Sequence, residues 1–260
     1  MMTVMPNASE ASSRSSVEPT ARWRVELVRV AGVAAALVLV AVPFALILEL
    51  IEDRWPPLLR ADRGARDGLH AYAVTSPGFV ARMQLISDIG SAPVWLGVSS
   101  VVVAWLCWRR LPRLALFVVI TAAGSSLLNA VVKTAVHRLR PVLTHPVARE
   151  EGLSFPSGHA QAAIVGYAVL LIVFLPILRG AWRRTAVALA VVMVLASGFS
   201  RIALGVHFVS DVVGGFILGT AWVVFMAAVI NVMTLDPGRR ARVTSRRSAA
   251  GSQSLGGPPG

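Results

Sequence analysis

Three short stretches of the chain carry side chains able to do chemistry. They are Lys133 with Arg140-Pro141, then Pro156-Ser157-Gly158-His159, then Ser200-Arg201 followed by His207 and Asp211. Lys133, Arg140 and Arg201 supply three fixed cations, His159 and His207 two imidazoles, and Asp211 one carboxylate. Arginine offers a planar fork of donors that matches phosphate oxygens, and lysine a compact point charge. His207 and Asp211 are four apart, so on a helix they share a face and lie within hydrogen-bonding reach. A carboxylate that accepts from one ring nitrogen fixes the tautomer and leaves the other nitrogen as a nucleophile. The combination points to an anion held by cations and attacked by a histidine.

Each stretch also has a plainer reading. Lys133 and Arg140 are seven apart, two turns and one face of a helix that runs through both, and Pro141 then stops it. A pair of snorkelling side chains at a membrane edge would look the same. Arg138 and His137 between them read as interfacial residues rather than ligands. Pro156 and Ser157 suit a helix start, and Gly158 lets a ligand approach the backbone, where free N–H groups cradle an anion. An ordinary helix start with a nearby histidine is the alternative. The His207 and Asp211 pair could merely satisfy itself. Two histidines and an aspartate can also bind a metal, but a metal cation beside three fixed cations would be repelled, whereas phosphate would be held by all three.

The surroundings of these residues are apolar. The 260 residues are 55% hydrophobic, with a mean hydropathy of +0.68, far from an ordinary soluble domain. Runs near the ~20 residues needed to cross a bilayer lie at about 30–50, 92–108, 114–132, 157–178, 185–199 and 209–233. The expected fold is therefore all-α, a polytopic membrane protein of about six transmembrane helices. Residues 1–22 read as a disordered tail, 23–235 as the membrane domain, and 236–260 as a basic disordered tail. Residues 51–90 are mixed in character and broken at Trp55-Pro56-Pro57. They read as a loop or a segment lying on the membrane. Arg54, Arg60 and Asp62 there read as surface charge, and His70 and His145 as solvated. The single cysteine, Cys107, excludes an intramolecular disulfide and reads as a core residue.

The net charge of +12 is unevenly placed, so it does not argue for nucleic acid. Residues 1–29, the turn from Arg109 to Arg113, the turn from Arg179 to Arg184 and the tail from Arg239 to Arg247 fall on one side of the six-span arrangement. By the positive-inside rule both termini are cytoplasmic. Lys133, Ser157, Arg201, His207 and Asp211 then all reach the opposite face, which puts the site at the extracytoplasmic boundary of the plasma membrane. Ionisable groups at that depth are costly unless they act.

The ordered set KTAVHRLRP, PSGH and SRIALGVHFVSD, spanning Lys133 to Asp211, resembles the three-part signature of the type 2 phosphatidic acid phosphatase superfamily, in its bacterial membrane-bound branch. The resemblance implies that His207 attacks phosphorus to form a phosphohistidine and that Asp211 orients it. It implies that His159 protonates the leaving oxygen and then activates water. Lys133, Arg140 and Arg201, with Ser157 and the Gly158 backbone, would hold the phosphoryl oxygens. It implies no metal and no other cofactor.

A site at the bilayer edge favours a partner that slides in laterally, namely a lipid phosphate. Phosphatidic acid, phosphatidylglycerol phosphate, diacylglycerol diphosphate and polyprenyl diphosphate all qualify. The short stretch from Pro141 to Pro156 leaves little room for an elaborate lid. The same residues would serve a lipid phosphotransferase, in which an alcohol replaces water. A non-catalytic protein binding or transporting an anionic lipid would not need two histidines and an orienting carboxylate. The related anion site of vanadate-dependent haloperoxidases belongs to soluble proteins, against which the six spans argue.

Overall fold

A computed structural model describes residues 19–234. Among them all the regular structure is α-helix. Its elements are α1 (Pro19–Glu52), α2 (Pro56–Thr75), α3 (Pro77–Ile89), α4 (Ala92–Trp108), α5 (Pro112–Val136), α6 (Gly158–Phe174), α7 (Ala181–Ala203) and α8 (Val209–Thr234). The expected tails fall largely outside the described residues, although residues 19–22, read as disordered, open α1. Helices α2 to α5 each carry proline in their first turn, where its missing N–H and fixed φ cost nothing.

The helix α6 lies at the centre of the bundle, packed against α4, α5, α7 and α8. Helix α1 covers α8, and α2 and α3 cover α7. The core between α4, α5, α6 and α8 is built of Val102, Leu106, Phe117, Val118, Val165 and Met226 with their neighbours. The outward faces stay apolar, with Leu39, Leu96 and Leu127 exposed, as a lipid-facing surface requires. The chain is thus a multi-pass membrane protein.

Among the described residues, five helical stretches are long and apolar enough to cross a bilayer: Val30–Glu52, Pro77–Trp108, Pro112–Val136, Ala181–Ala203 and Val209–Val229. The fourth expected span, α6, has only 17 residues, about 25 Å of helix against a hydrocarbon core of about 30 Å. Its central position explains this, because a helix surrounded by other helices need not match the lipid thickness. Across its faces run the polar contacts that bind membrane helices together. Gln161 Nε2 donates to the Ser125 carbonyl and hydroxyl oxygens, both at 2.9 Å, and Asn129 Nδ2 donates to Gln161 Oε1 at 2.7 Å.

Three expectations are corrected here. Residues 51–90 are not a loop but two helices, α2 and α3, the latter leading through Gly90-Ser91 into α4. Helix α2 escaped notice because its charged outer face hides the pattern, while Asp62 and Ala73 are buried. His70 accordingly lies half-buried on α2 rather than solvated in a loop. Cys107 is exposed on α4 rather than in the core, since a lipid-facing position reads as apolar as a buried one.

Close approach of α8 to the start of α6 depends on Gly215. A Cβ there would lie 2.6 Å from the Ser157 carbonyl oxygen, whereas one on Gly97 would meet nothing within 4 Å. Gly215→Ala is expected to cost about 1–3 kcal/mol and to lower the thermal midpoint in detergent, while Gly97→Ala leaves it unchanged. Equal midpoints for the two variants would remove this account of the α6–α8 contact.

Candidate active site

Four helix ends meet at one end of the bundle: the C-termini of α5 and α7 and the N-termini of α6 and α8. Lys133 lies in the last turn of α5 and Arg201 in the last turn of α7. Ser157 caps α6, its hydroxyl oxygen accepting from the Ala160 N–H, and its own N–H donates to the Asp211 carbonyl oxygen at 2.9 Å. His207 lies between α7 and α8, and Asp211 in the first turn of α8. The turns at Arg109–Arg113, between α4 and α5, and at Arg179–Arg184, between α6 and α7, lie at the other end.

Arg140 reaches the site by a different route from the one its spacing suggests. Helix α5 stops at Val136, and His137 takes a left-handed conformation with φ 54°, its N–H donating to the Lys133 carbonyl. The chain then runs extended, held by the Ser154 N–H on the Arg138 carbonyl at 2.8 Å and the Ser154 hydroxyl on the Leu139 carbonyl at 3.0 Å. Lys133 and Arg140 therefore do not share a helical face. Arg140 comes to His207 from the loop, with Nη1 donating to the Val206 carbonyl at 3.0 Å and lying 3.1 Å from His207 Nε2.

His207 is buried, with Nδ1 3.4 Å from Asp211 Oδ2. Arginine can only donate, so its approach to Nε2 makes that nitrogen the acceptor and puts the proton on Nδ1, facing Asp211. Burial holds the imidazole below its ordinary pKa of 6.5; the hydrogen bond and charge of Asp211 oppose this without cancelling it, and the Arg140 and Arg201 cations add to it. The Nε2 lone pair thus points toward Arg140. His159, in the first turn of α6, is half-buried and feels the charges of Arg201, Glu150, His207 and Arg140. Lys133 feels Arg140, Glu150, Asp211 and Arg201. The eight residues named from sequence, including Gly158 beside Ser157, are thus gathered at one end of the bundle.

Four further residues belong to this cluster. Glu150, on the loop before α6, pairs with Arg140 Nη1 at 2.9 Å and accepts from Arg201 Nη2, so its carboxylate bridges two of the cations. Burial pushes its carboxyl up, but Arg201 and Arg140 outweigh that and hold it below the ordinary 4.5. Ser87 on α3 is buried and accepts from Arg201 Nη1. Arg138, read from sequence as interfacial, instead donates to Asp211 Oδ1 at 2.6 Å and to Asp62 Oδ2 at 2.8 Å. Asp62, read as surface charge, is 1% exposed. A signal for Glu150 was present, since acids are few here and Glu150-Glu151 stand only four residues ahead of the PSGH stretch. Asp62, 76 residues from Arg138, gave none.

Cations converge on one carboxylate here, beside a histidine whose Nε2 faces an arginine, a setting suited to an oxyanion. This is the arrangement of a membrane-embedded phosphatase. Residues 112–234 match the model of the PAP2 superfamily. The chain is 34% identical over 152 residues to phosphatidylglycerophosphatase B of Bacillus subtilis (strain 168), covering 57% of this chain and 74% of that protein. It is 34% identical over 172 residues to the decaprenylphosphoryl-5-phosphoribose phosphatase of Mycobacterium tuberculosis (strain CDC 1551 / Oshkosh), covering 62% of this chain and 87% of that one. It is 28% identical to the undecaprenyl-diphosphatase of Sulfolobus acidocaldarius over 154 residues, 57% of this chain and 69% of that one. The crystal structure of a transmembrane PAP2-type phosphatidylglycerolphosphate phosphatase from Bacillus subtilis superimposes with a TM-score of 0.66 at 27% identity, over 77% of this chain and 98% of that one. The chain belongs to the PAP2 superfamily and is a phosphatase.

Glu150 occupies the position in which an anion would bridge Arg140 and Arg201. Glu150→Gln is expected to bind inorganic phosphate roughly three- to tenfold more tightly, since a competing charge near the surface is removed. Product inhibition by phosphate measures this. An unchanged or weaker inhibition constant would show that the carboxylate does not compete for the site.

Proposed function

We propose that the protein hydrolyses a phosphomonoester or diphosphate carried on a lipid, through a phosphohistidine formed on His207. The observation that carries this reading is the orientation of the imidazole: Nδ1 faces Asp211, while Nε2 faces the cations. Nε2 attacks phosphorus, the bond from phosphorus to the lipid oxygen breaks, and His159 gives its proton to that oxygen. Water then attacks the phosphohistidine as His159 takes a proton back, which releases phosphate and restores neutral His207. Lys133, Arg140 and Arg201, with Ser157 and the free N–H groups opening α6, stabilise the charge on the equatorial oxygens. No step requires a metal.

Two features support a lipid carrier. The site is built at helix ends, at the edge of a bundle whose sides are apolar. Between α4, α5 and α6 there is a cavity of about 300 Å³ lined by residues such as Leu96, Val103, Val119 and Val165. Ser125 lines it too and is hydrogen-bonded to Gln161, two residues beyond His159. An apolar tail fits there with its head group toward the cations. The relatives act, by their names, on glycerol-based and polyprenyl phosphates, and phosphatidylglycerol phosphate and polyprenyl diphosphates head the substrate panel. The arginine-rich turns at the far end of the bundle support an extracytoplasmic site with both termini cytoplasmic.

The test is phosphate release by detergent-purified protein with EDTA present, across lipid phosphates, for wild type and His207→Ala. Release that survives EDTA and falls at least about a thousandfold in the variant is expected. Release abolished by EDTA, or retained by His207→Ala, would overturn the mechanism. The pH profile gives a second check. His207 must be neutral to attack and its pKa is lowered, so it stays neutral as pH falls through 6.5. The acid limb of kcat/KM is expected on the acid side of that value, within a bell whose pKa values belong to the coupled site. A profile flat from acid to alkaline pH, with chemistry limiting, would count against the assignment.

A further inference from the structure

We propose that Asp62 is a positioning residue for phosphoryl transfer: from helix α2 it holds Arg138 between two carboxylates and so leaves Asp211 Oδ2 to His207. The inference rests on the phosphohistidine reading above and extends it to a helix that none of the signature stretches includes.

Every oxygen of the two carboxylates is accounted for. Asp62 Oδ1 accepts from the Ser210 N–H at 2.9 Å, and Asp62 Oδ2 from the Ser210 hydroxyl at 2.5 Å and from Arg138 Nη2 at 2.8 Å. Arg138 Nη1 donates to Asp211 Oδ1 at 2.6 Å and lies 2.7 Å from the Ser210 oxygen. Asp211 Oδ2 accepts from the Phe208 N–H at 2.8 Å and faces His207 Nδ1. The guanidinium also stacks over the Phe208 ring, 4.5 Å from its centroid. Asp62 and Asp211 are both buried. Asp62 thus satisfies an N–H in the first turn of α8 and holds Arg138 beside Asp211, joining α2 to the residue that precedes Asp211.

The chemistry follows from charge. One guanidinium shared by two carboxylates is drawn fully to neither, so Asp211 Oδ2 stays available to accept the Nδ1 hydrogen and to stabilise the imidazolium-like charge that develops as Nε2 attacks. Removing the Asp62 charge turns the whole guanidinium on Asp211. The carboxylate then becomes a weaker acceptor, and the His207 nucleophile is both less well oriented and less basic. The other groups facing His207 and Asp211 are unaltered by that change: Lys133 on α5, Arg140 and Glu150 on the loop, His159 on α6 and Arg201 on α7, with Asp88 on α3 acting on Arg201. None of them contacts Asp62.

The experiment compares wild type, Asp62→Asn, Asp62→Glu and His207→Ala in detergent, with folding checked by circular dichroism. Asp62→Asn is expected to lose roughly tenfold to a hundredfold in kcat, the scale of outer-shell partners, with KM within about threefold. Its acid limb is expected to move to lower pH, because a negative charge that favours protonation of His207 has been taken away. Asp62→Glu is expected to recover part of the rate. A kcat within twofold of wild type overturns the proposal, and so does a fall in kcat with an unmoved acid limb and no recovery in Asp62→Glu. Should Asp62→Asn fail to fold, Arg138→Lys carries the test; it keeps the charge but has no planar fork to span Asp62 and Asp211 together, and an unchanged kcat there overturns the bridge. An acid-labile phosphoryl adduct is followed in parallel. If wild type forms none that His207→Ala abolishes, the underlying mechanism fails. If it does, an unchanged Asp62→Asn removes only the role of Asp62.

Discussion

Four cations, Arg138, Arg140, Arg201 and Lys133, are brought to one end of a helical bundle whose sides are hydrocarbon. Like charges so placed repel strongly where water is scarce, and each would be expelled without a counter-ion. Three carboxylates answer them. Asp62 and Asp211 clamp Arg138 from two helices, and both are buried. Glu150 bridges Arg140 and Arg201 from a loop and is only partly covered. The first two are built into the fold. The third sits on the more adaptable element, opposite the cations that a phosphate would need.

This division of labour explains why the bundle has elements beyond the signature. Helix α2 contributes Asp62, and α3 contributes Ser87, which takes one arm of Arg201. Both pack on α7, and α2 also on α8. The two helices thus do for the charged end what α4 and α5 do for the apolar core: they supply partners that a lipid could not. The central helix α6 gives up length in exchange for contact on all sides. Its glutamine ties to Ser125 and Asn129 and fixes the turn that carries His159.

Phosphate chemistry at such a place needs little more than position. A histidine whose proton is directed to a carboxylate presents its other nitrogen without further activation. Burial, which depresses its basicity, keeps that nitrogen free of protons. Under the proposed mechanism the cations both bind phosphate and stabilise charge. The chain's relatives among lipid phosphatases fit a site of this kind set at the boundary between apolar and polar surroundings.

The amino-acid sequence alone determined the helical membrane class, because runs of apolar residues near bilayer length have few other uses. It also singled out the motif residues that the fold gathers at one end of the bundle, since spacings such as His207 to Asp211 impose local geometry whatever the rest does. The tertiary structure alone decided how Arg140 arrives. A left-handed residue at His137 ends α5 and sends the chain out extended, and a seven-residue spacing cannot reveal that. It alone decided that Asp62 and Arg138 are buried partners rather than surface charges. Nothing local distinguishes an acid that faces water from one that faces an arginine 76 residues away. Cys107 shows the same limit for apolar positions: lipid and core are equally hydrophobic, and only packing separates them.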